Sequence, residues 1–505
     1  MSLAVIRKEI EAEQLVGYRY LQLLSRAEAL VTGAGRDAVE PLLCDATAAV
    51  IRADIQNDRV VLDGTLQCQG VYRLGEETTL RAIGAKSNFS QAVDIPGAQP
   101  GMVARVEANV EHVEARYENG HMVFHAGIGI YIWVIALEKI EAVSEIDNAN
   151  NVEAKYGEFQ FEKLAAEAGE TAVMTANVDL PHSLDARNTL MDWGSVLIDS
   201  AKADLGGVRI KGRAMIETLV ASGVEGRPAA VIKYPIEFDK LIEVTEWLSE
   251  NASVRAQLRN IRTQVEANEE TEEGKLLIQA DVYFTLTANI RENAKLLQDA
   301  YGYGSDLVEL ERQEYTVCSK VINTQTSEII RGTVLTEENA PAVGSIIAVR
   351  AQPNLAETQS QAGRTRLSGI IEADVLYIPS GSDFPSAART ELPFEMEIPQ
   401  EINDSSMIRL DVSSAEANAL MSDRLEMKIG LNAACETRIQ SCYELISGAT
   451  CSECPKRKSA YVVYWPEENE NSWSVGKRFS IPEVNVMEAA GEGGIQEGKC
   501  IILNL

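Results

Sequence analysis

RVVLDGTLQCQGVYRL, residues 59–74, alternates apolar and polar side chains around Gly64. A side-chain period of two is the mark of a strand with one buried face. Two more stretches overlay on it: VRIKGRAMIETLVAS at 208–222 around Gly212, and RLSGIIEADVLYI at 366–378 around Gly369. Downstream of each glycine lies a second matching segment, NFSQAVDIPGA, EFDKLIEVTEWL and PFEMEIPQEI. Their phenylalanines, Phe89, Phe238 and Phe394, follow the glycines by 25, 26 and 25 residues. A third set closes each series: HMVFHAGIGIYIWV (121–134), KLLIQADVYFTLTA (275–288) and RLEMKIGLNAACET (424–437).

The glycines are 148 and 157 residues apart, a domain-sized period rather than the 20 to 50 residues of a solenoid. Each copy is therefore long enough to own a core. Upstream stretches such as IRKEIEAEQLVG, FQFEKLAAEAGE and LVELERQEYTV place the start of each copy well before its glycine. Three β-rich domains are expected at 1–150, 151–300 and 301–447, built of antiparallel strands joined at turns such as Glu118-Asn119-Gly120 and Pro379-Ser380-Gly381. Helical spacing intrudes near Asp239 to Leu248 and from Asn289 to Tyr301, the latter read as a connecting helix stopped by Gly302 and Gly304. The glycines of GIGIYIW sit inside a strand pattern and read as relief of crowding or a bulge.

The polar run GATCSECPKRKS predicts a cysteine-bearing linker at 448–459. Beyond it, 460–505 spells a short strand, two amphipathic helices over WSVGKRF and PEVNVME, and a closing strand in KCIILNL. That βααβ order suits a module near the lower size limit for independent folding. The fold class is thus mainly β with some helix.

Composition narrows the function. Acidic residues outnumber basic ones 76 to 46 in a chain of 505, a net charge of −30. Such a field repels phosphate backbones and anionic lipid, so no nucleic-acid or membrane-surface role is expected. Charges at Arg7, Lys8, Glu9 and Glu11 interrupt the first residues, and no stretch reaches the ~20 apolar residues of a membrane helix. A cytoplasmic chain with no membrane insertion is expected. No P-loop, dinucleotide glycine fingerprint, nucleophile elbow or H-E-x-x-H occurs, so neither an enzyme nor a cofactor is expected.

His121 and His125 share a strand face and His112 lies just upstream, yet a metal needs further ligands, and ordinary strand-face residues are the simpler reading. Cys435, Cys442, Cys451 and Cys454 form an irregular C-x6-C-x8-C-x2-C series open to zinc, redox switching, cross-linking or free thiols. In a reducing compartment thiols are the default. No metal requirement is expected. Trp473 and Phe479, six residues apart, read as module core. Tyr464 and Trp465 are the candidates for exposed partner contacts.

The module resembles a LysM domain. Tyr461 and Val463 match its opening strand; Trp473, Ser474, Val475, Lys477, Arg478 and Phe479 match its first helix; Lys499, Ile501 and Ile502 match its closing strand. The family's Gly-Asp-Thr turn, part of the sugar groove in glycan-binding members, is replaced by ENENS, which counts against glycan binding. Lys477 and Arg478 join Tyr464 and Trp465 as partner-binding candidates. The large repeats resemble SPOCS domains through VLDGTLQCQGVY and FSQAVDIPGAQPGM in the first copy, and LAVIRKEIEAEQLVG is similar to the opening of such proteins. SPOCS repeats followed by a terminal LysM domain are the architecture of the SipL-like spore-coat morphogenetic proteins. The resemblance implies a non-enzymatic scaffold on the mother-cell side of the forespore. Its C-terminal module would engage the basal-layer coat ATPase as protein partner, with self-association as a further expectation. The rival readings are a peptidoglycan-binding envelope protein and a self-assembling filament or surface-layer subunit.

Overall fold

The computed structural model describes residues 4–33, 38–147, 151–244, 252–267, 274–304, 306–336, 340–453, 460–491 and 493–504. Eighteen long strands make three sets of six. The first set is β1 (Val5–Leu30), β2 (Val39–Gln56), β3 (Arg59–Leu74), β4 (Arg81–Asp94), β5 (Val103–Glu118) and β6 (His121–Ile146). The second is β7 (Val152–Asp179), β8 (Ala186–Asp204), β9 (Gly207–Val224), β10 (Arg227–Glu243), β11 (Ala252–Ala267) and β12 (Gly274–Gly302). The third is β13 (Asp306–Leu335), β14 (Val343–Gln361), β15 (Arg364–Pro379), β16 (Ser386–Ile398), β17 (Met407–Met421) and β18 (Arg424–Glu453).

Each set has the same strand order. The middle three strands form an antiparallel meander: β2-β3-β4, β8-β9-β10 and β14-β15-β16. The first, sixth and fifth form a second sheet: β1-β6-β5, β7-β12-β11 and β13-β18-β17. The apolar face of each meander packs on that of its companion sheet, as Leu62 and Leu66 do on Ile128 and Ile130 in the first unit. Ile210 and Ile216 with Val282 and Phe284 fill the second core, and Leu367 and Ile371 with Ile429 and Leu431 the third. Tight turns set the register. Asn119 and Gly120 have φ of 50° and 88°, and Ala362 and Gly363 have 52° and 80°. Two successive positive φ values match the right-handed twist of the hairpin arms.

The first and sixth strands outrun their sheets. Among the described residues, β6 pairs only with β1 beyond Ile135, β12 only with β7 beyond Ala288, and β18 only with β13 beyond Glu436. The three resulting ribbons pack into a stalk around Ile10, Ile140, Phe161, Leu296, Val317 and Leu445. At the opposite pole Leu43, Leu219 and Leu376 bring the three meanders together.

Where the sheets give way to ribbons, a buried ionic cluster joins all three units. Glu436 accepts from Arg105 (2.8 Å), Arg255 (2.8 Å) and Arg438 (3.0 Å). Arg438 also pairs with Glu13, which accepts from Asn289 Nδ2 at 2.7 Å. Burial raises the Glu436 carboxyl's pKa, but the three guanidinium groups outweigh it and hold the group far below its ordinary value. Glu13 goes the other way, because burial there outweighs Arg438 and Arg105.

The segment Asn289–Tyr301, expected as a helix, is strand β12, paired with β7 from Leu164 to Glu153. Its helical spacing comes from a bulge between Leu297 and Asp299, which brings Leu297 and Ala300, three residues apart, into one apolar cluster. Within the other expected helix, Asp239–Glu243 belongs to β10, and residues 245–248 lie outside the described residues. Of the expected linker, residues 448–453 extend β18 against β13, and 454–459 lie outside the described residues. Among the described residues no helix is long and apolar enough to cross a membrane.

Candidate functional site

The C-terminal module has the expected order: β19 (Tyr461–Tyr464), α1 (Ser472–Phe479), α2 (Glu483–Ala490) and β20 (Ile501–Asn504). A reciprocal cap opens α1: Asn471 Oδ1 accepts from the Ser474 amide, and Ser474 Oγ accepts from the Asn471 amide, both at 2.9 Å. Ser480, at φ 47°, ends the helix. The core is small, made of Val475, Ile481, Val486, Ala490, Ile501 and Leu503 with the Tyr464 and Phe479 rings against it. A core of that size gains from an external support, and the stalk supplies one.

Helix α1 sits on the end of β12. The Trp473 indole N–H donates to Asp299 Oδ2 at 2.9 Å, and Lys477 Nζ reaches both Asp299 oxygens at 2.6 and 2.7 Å. Arg312 of β13 reaches Asp299 Oδ1 at 3.0 Å. Burial alone would raise the Asp299 pKa; hydrogen bonds from Lys477 and Trp473 and the charges of Lys477 and Arg312 hold it below the usual carboxylate value. The Tyr301 ring meets the Trp473 ring edge-on at 4.9 Å, and its hydroxyl donates to Ile481 O at 3.1 Å. A Cβ on Gly476 would stand 2.5 Å from that hydroxyl, so the approach needs glycine.

These contacts place the expected partner residues differently from one another. Lys477 faces the stalk. Trp473, expected in the module core, is half-buried between module and stalk. Tyr464 points inward: its ring packs on Phe479 at 4.9 Å, and its hydroxyl donates to Glu470 at 2.6 Å. Burial and that carboxylate push the Tyr464 pKa up to about 12. Arg478 bonds the Tyr464 hydroxyl and pairs with Glu470 at 3.0 Å. Trp465 is exposed, with 56% of its surface open. Beside it are Tyr461, Val463 and Ile502, which sequence reasoning placed in the module's strands but not among the partner contacts, all exposed. Val463 and Ile502 are register partners across β19 and β20, so together with Trp465 they make an outward apolar face. The signal was the apolar character of both alternating sets in YVVYW and CIILNL.

The other candidates do not converge. His112 bonds Glu372 of the third unit at 2.9 Å, His121 bonds the Asn119 carbonyl at 3.2 Å, and His125 is exposed. Cys435 is buried and its thiol pushed up to about 11 by that burial, whereas Cys442 is exposed and Cys451 half-buried; Cys454 lies outside the described residues.

Against known families, residues 39–118 match the model described as SipL, SPOCS domain. The match runs from the first residue of β2 to the last of β5, and so covers the meander of the first unit and one strand of its companion sheet. Comparison with curated proteins gives no match, and comparison with solved structures gives none either.

Proposed function

We propose that this SPOCS-containing chain acts in sporulation as a non-enzymatic, SipL-like scaffold of the spore coat. In this reading the units at 1–150, 151–300 and 301–447 are three SPOCS-type domains, and 460–505 is a LysM-like docking module. The family match on β2 to β5 supports the sporulation role, and the shared strand order supports extending it to all three units.

The observation that carries the docking role is the outward apolar face of Val463, Trp465 and Ile502 on a module braced from behind by Asp299 and Tyr301. Large exposed apolar side chains on a small, supported sheet suit protein recognition, where a few such anchors dominate the energy. The resemblance names the partner class: the basal-layer coat ATPase on the mother-cell side of the forespore. Capture of that ATPase by the full-length chain tests the reading. Trp465→Ala with Ile502→Ala should weaken capture at least tenfold while leaving the melting curve unchanged. Unchanged capture would contradict it, and binding of the wild-type chain to purified cell wall instead would favour the peptidoglycan reading.

A further inference from the structure

A cavity of 840 Å³ lies between the three units, within the size range of small-molecule sites. Its walls are mainly the second and fifth strands of each unit, β2 and β5, β8 and β11, β14 and β17, with single side chains such as Tyr131 of β6 and Tyr283 of β12 between them. All six are edge strands of their sheets, and each carries a bulge. Bulges at sheet edges re-aim side chains, often beside binding sites. Here the walls are rich in arginine, in a chain whose net charge is −30.

Most of these cations are answered. Arg255 pairs with Glu107 and Glu436, Arg409 with Asp411 at 2.8 Å, and Arg350 with Asp45 at 2.9 Å. Of the remaining wall carboxylates, Glu111 is taken by Tyr20 and Gln22, each at 2.7 Å, and Glu167 of β7 is exposed. Arg259 differs. Its guanidinium carbon lies 3.5 Å from the centroid of the Tyr283 ring, and among the described residues its Nε, like that of Arg350, is buried with no hydrogen-bond partner. Among the described residues no carboxylate lies within 4.0 Å of it. A buried donor on a permanent cation is costly to leave unmatched. The positive field nearby is strong enough to tell on Arg255, whose pKa is lowered to about 10 by burial and by Arg105, Arg409 and Arg438.

We propose that this cavity binds a small oxyanion-bearing ligand, a phosphate ester or an organic carboxylate, through the Arg259 guanidinium. Stacking on Tyr283 fixes the guanidinium plane in advance, so its fork meets a carboxylate or phosphate edge with little loss of side-chain freedom. Arg255 and Arg409, on the fifth strands of the second and third units, add attraction from the same wall.

The test is a thermal titration of the full-length chain with pyrophosphate in one arm and citrate in the other, each at ionic strength held constant with sodium chloride. One arm or both should raise the melting temperature saturably, and the more effective arm identifies the ligand class. Arg259→Gln should weaken that response at least tenfold, and Tyr283→Leu, which removes the stack but keeps the cation, should weaken it several-fold. Arg364→Gln, on an exposed hairpin arm of the third unit, should leave it unchanged. Should Arg259→Gln fail to fold, the Tyr283 variant and isothermal calorimetry on the wild-type chain decide. A shift reproduced by chloride alone, or an undiminished response in a folded Arg259 or Tyr283 variant, overturns the proposal.

Discussion

The Phe89 ring lies across Gly64, its register partner on β3, so closely that a Cβ on the glycine would stand 2.2 Å from the ring Cζ. The same pairing joins Phe238 to Gly212 and Phe394 to Gly369, with Cβ-to-ring distances of 2.7 and 2.8 Å. A side chain on the glycine and the ring on its partner exclude one another.

Gly64 and Gly369 should respond differently to alanine. At Gly369 the added Cβ would also stand 2.0 Å from the Asn354 carbonyl oxygen, a backbone atom, whereas at Gly64 the nearest carbonyl, of Ala49, is 2.7 Å away. Overpacking of this kind costs about 1–3 kcal/mol. Gly64→Ala should be partly rescued by Phe89→Leu, and Gly369→Ala should not be rescued by Phe394→Leu. Denaturant melts of the single and double variants measure both.

That pairing explains why so much of the fold was legible. An offset of 25 or 26 residues is the chain length from a strand, around a turn, to its cross-strand partner, so the spacing recorded register as well as repetition. The stalk was hidden for an equally physical reason. One bulge at Leu297–Asp299 shifts the strand phase and mimics helical spacing, which concealed Asp299 and Tyr301, the two residues on which the module rests. The partner candidates divided by strand alternation. Trp465 points out and Tyr464 in, and nothing in the residues themselves announces that Lys477 spends its charge on Asp299.

The ionic cluster yields a second prediction. Glu436→Gln removes the one charge shared by Arg105, Arg255 and Arg438, leaving buried cations under-compensated. Breaking one side of a buried pair costs about 3–5 kcal/mol. Because the cluster draws on all three units, the loss should appear as a lower melting temperature for the whole β body, measured by calorimetry.

Release of the module is the third. Trp473→Ala and Asp299→Asn each remove part of the seat, since both residues meet at 2.9 Å. Trypsin cleavage after Lys456, Arg457 or Lys458 should become several-fold faster in either variant, with the melting temperature of the β body unchanged. Mass spectrometry of the released fragment gives the rate.

Acid should undo the same contact. The Asp299 pKa is lowered in the seated state, so its stabilisation is present above the ordinary carboxylate value of 3.8 and is lost as the pH falls below that value through the seated pKa. Trp473 fluorescence, taken as the difference between wild type and Trp473→Phe, should change over that acid window. Asp299→Asn should show no such step.

In the proposed function the C-terminal module docks the scaffold. This docking is tested most directly by following a fluorescent fusion of the chain truncated before Tyr461 in sporulating cells, beside the full-length fusion. The full-length chain should encircle the forespore, while the truncated chain should spread through the mother cell with its β body still folded by calorimetry. Normal encirclement by the truncated chain would contradict it and assign docking to the β units.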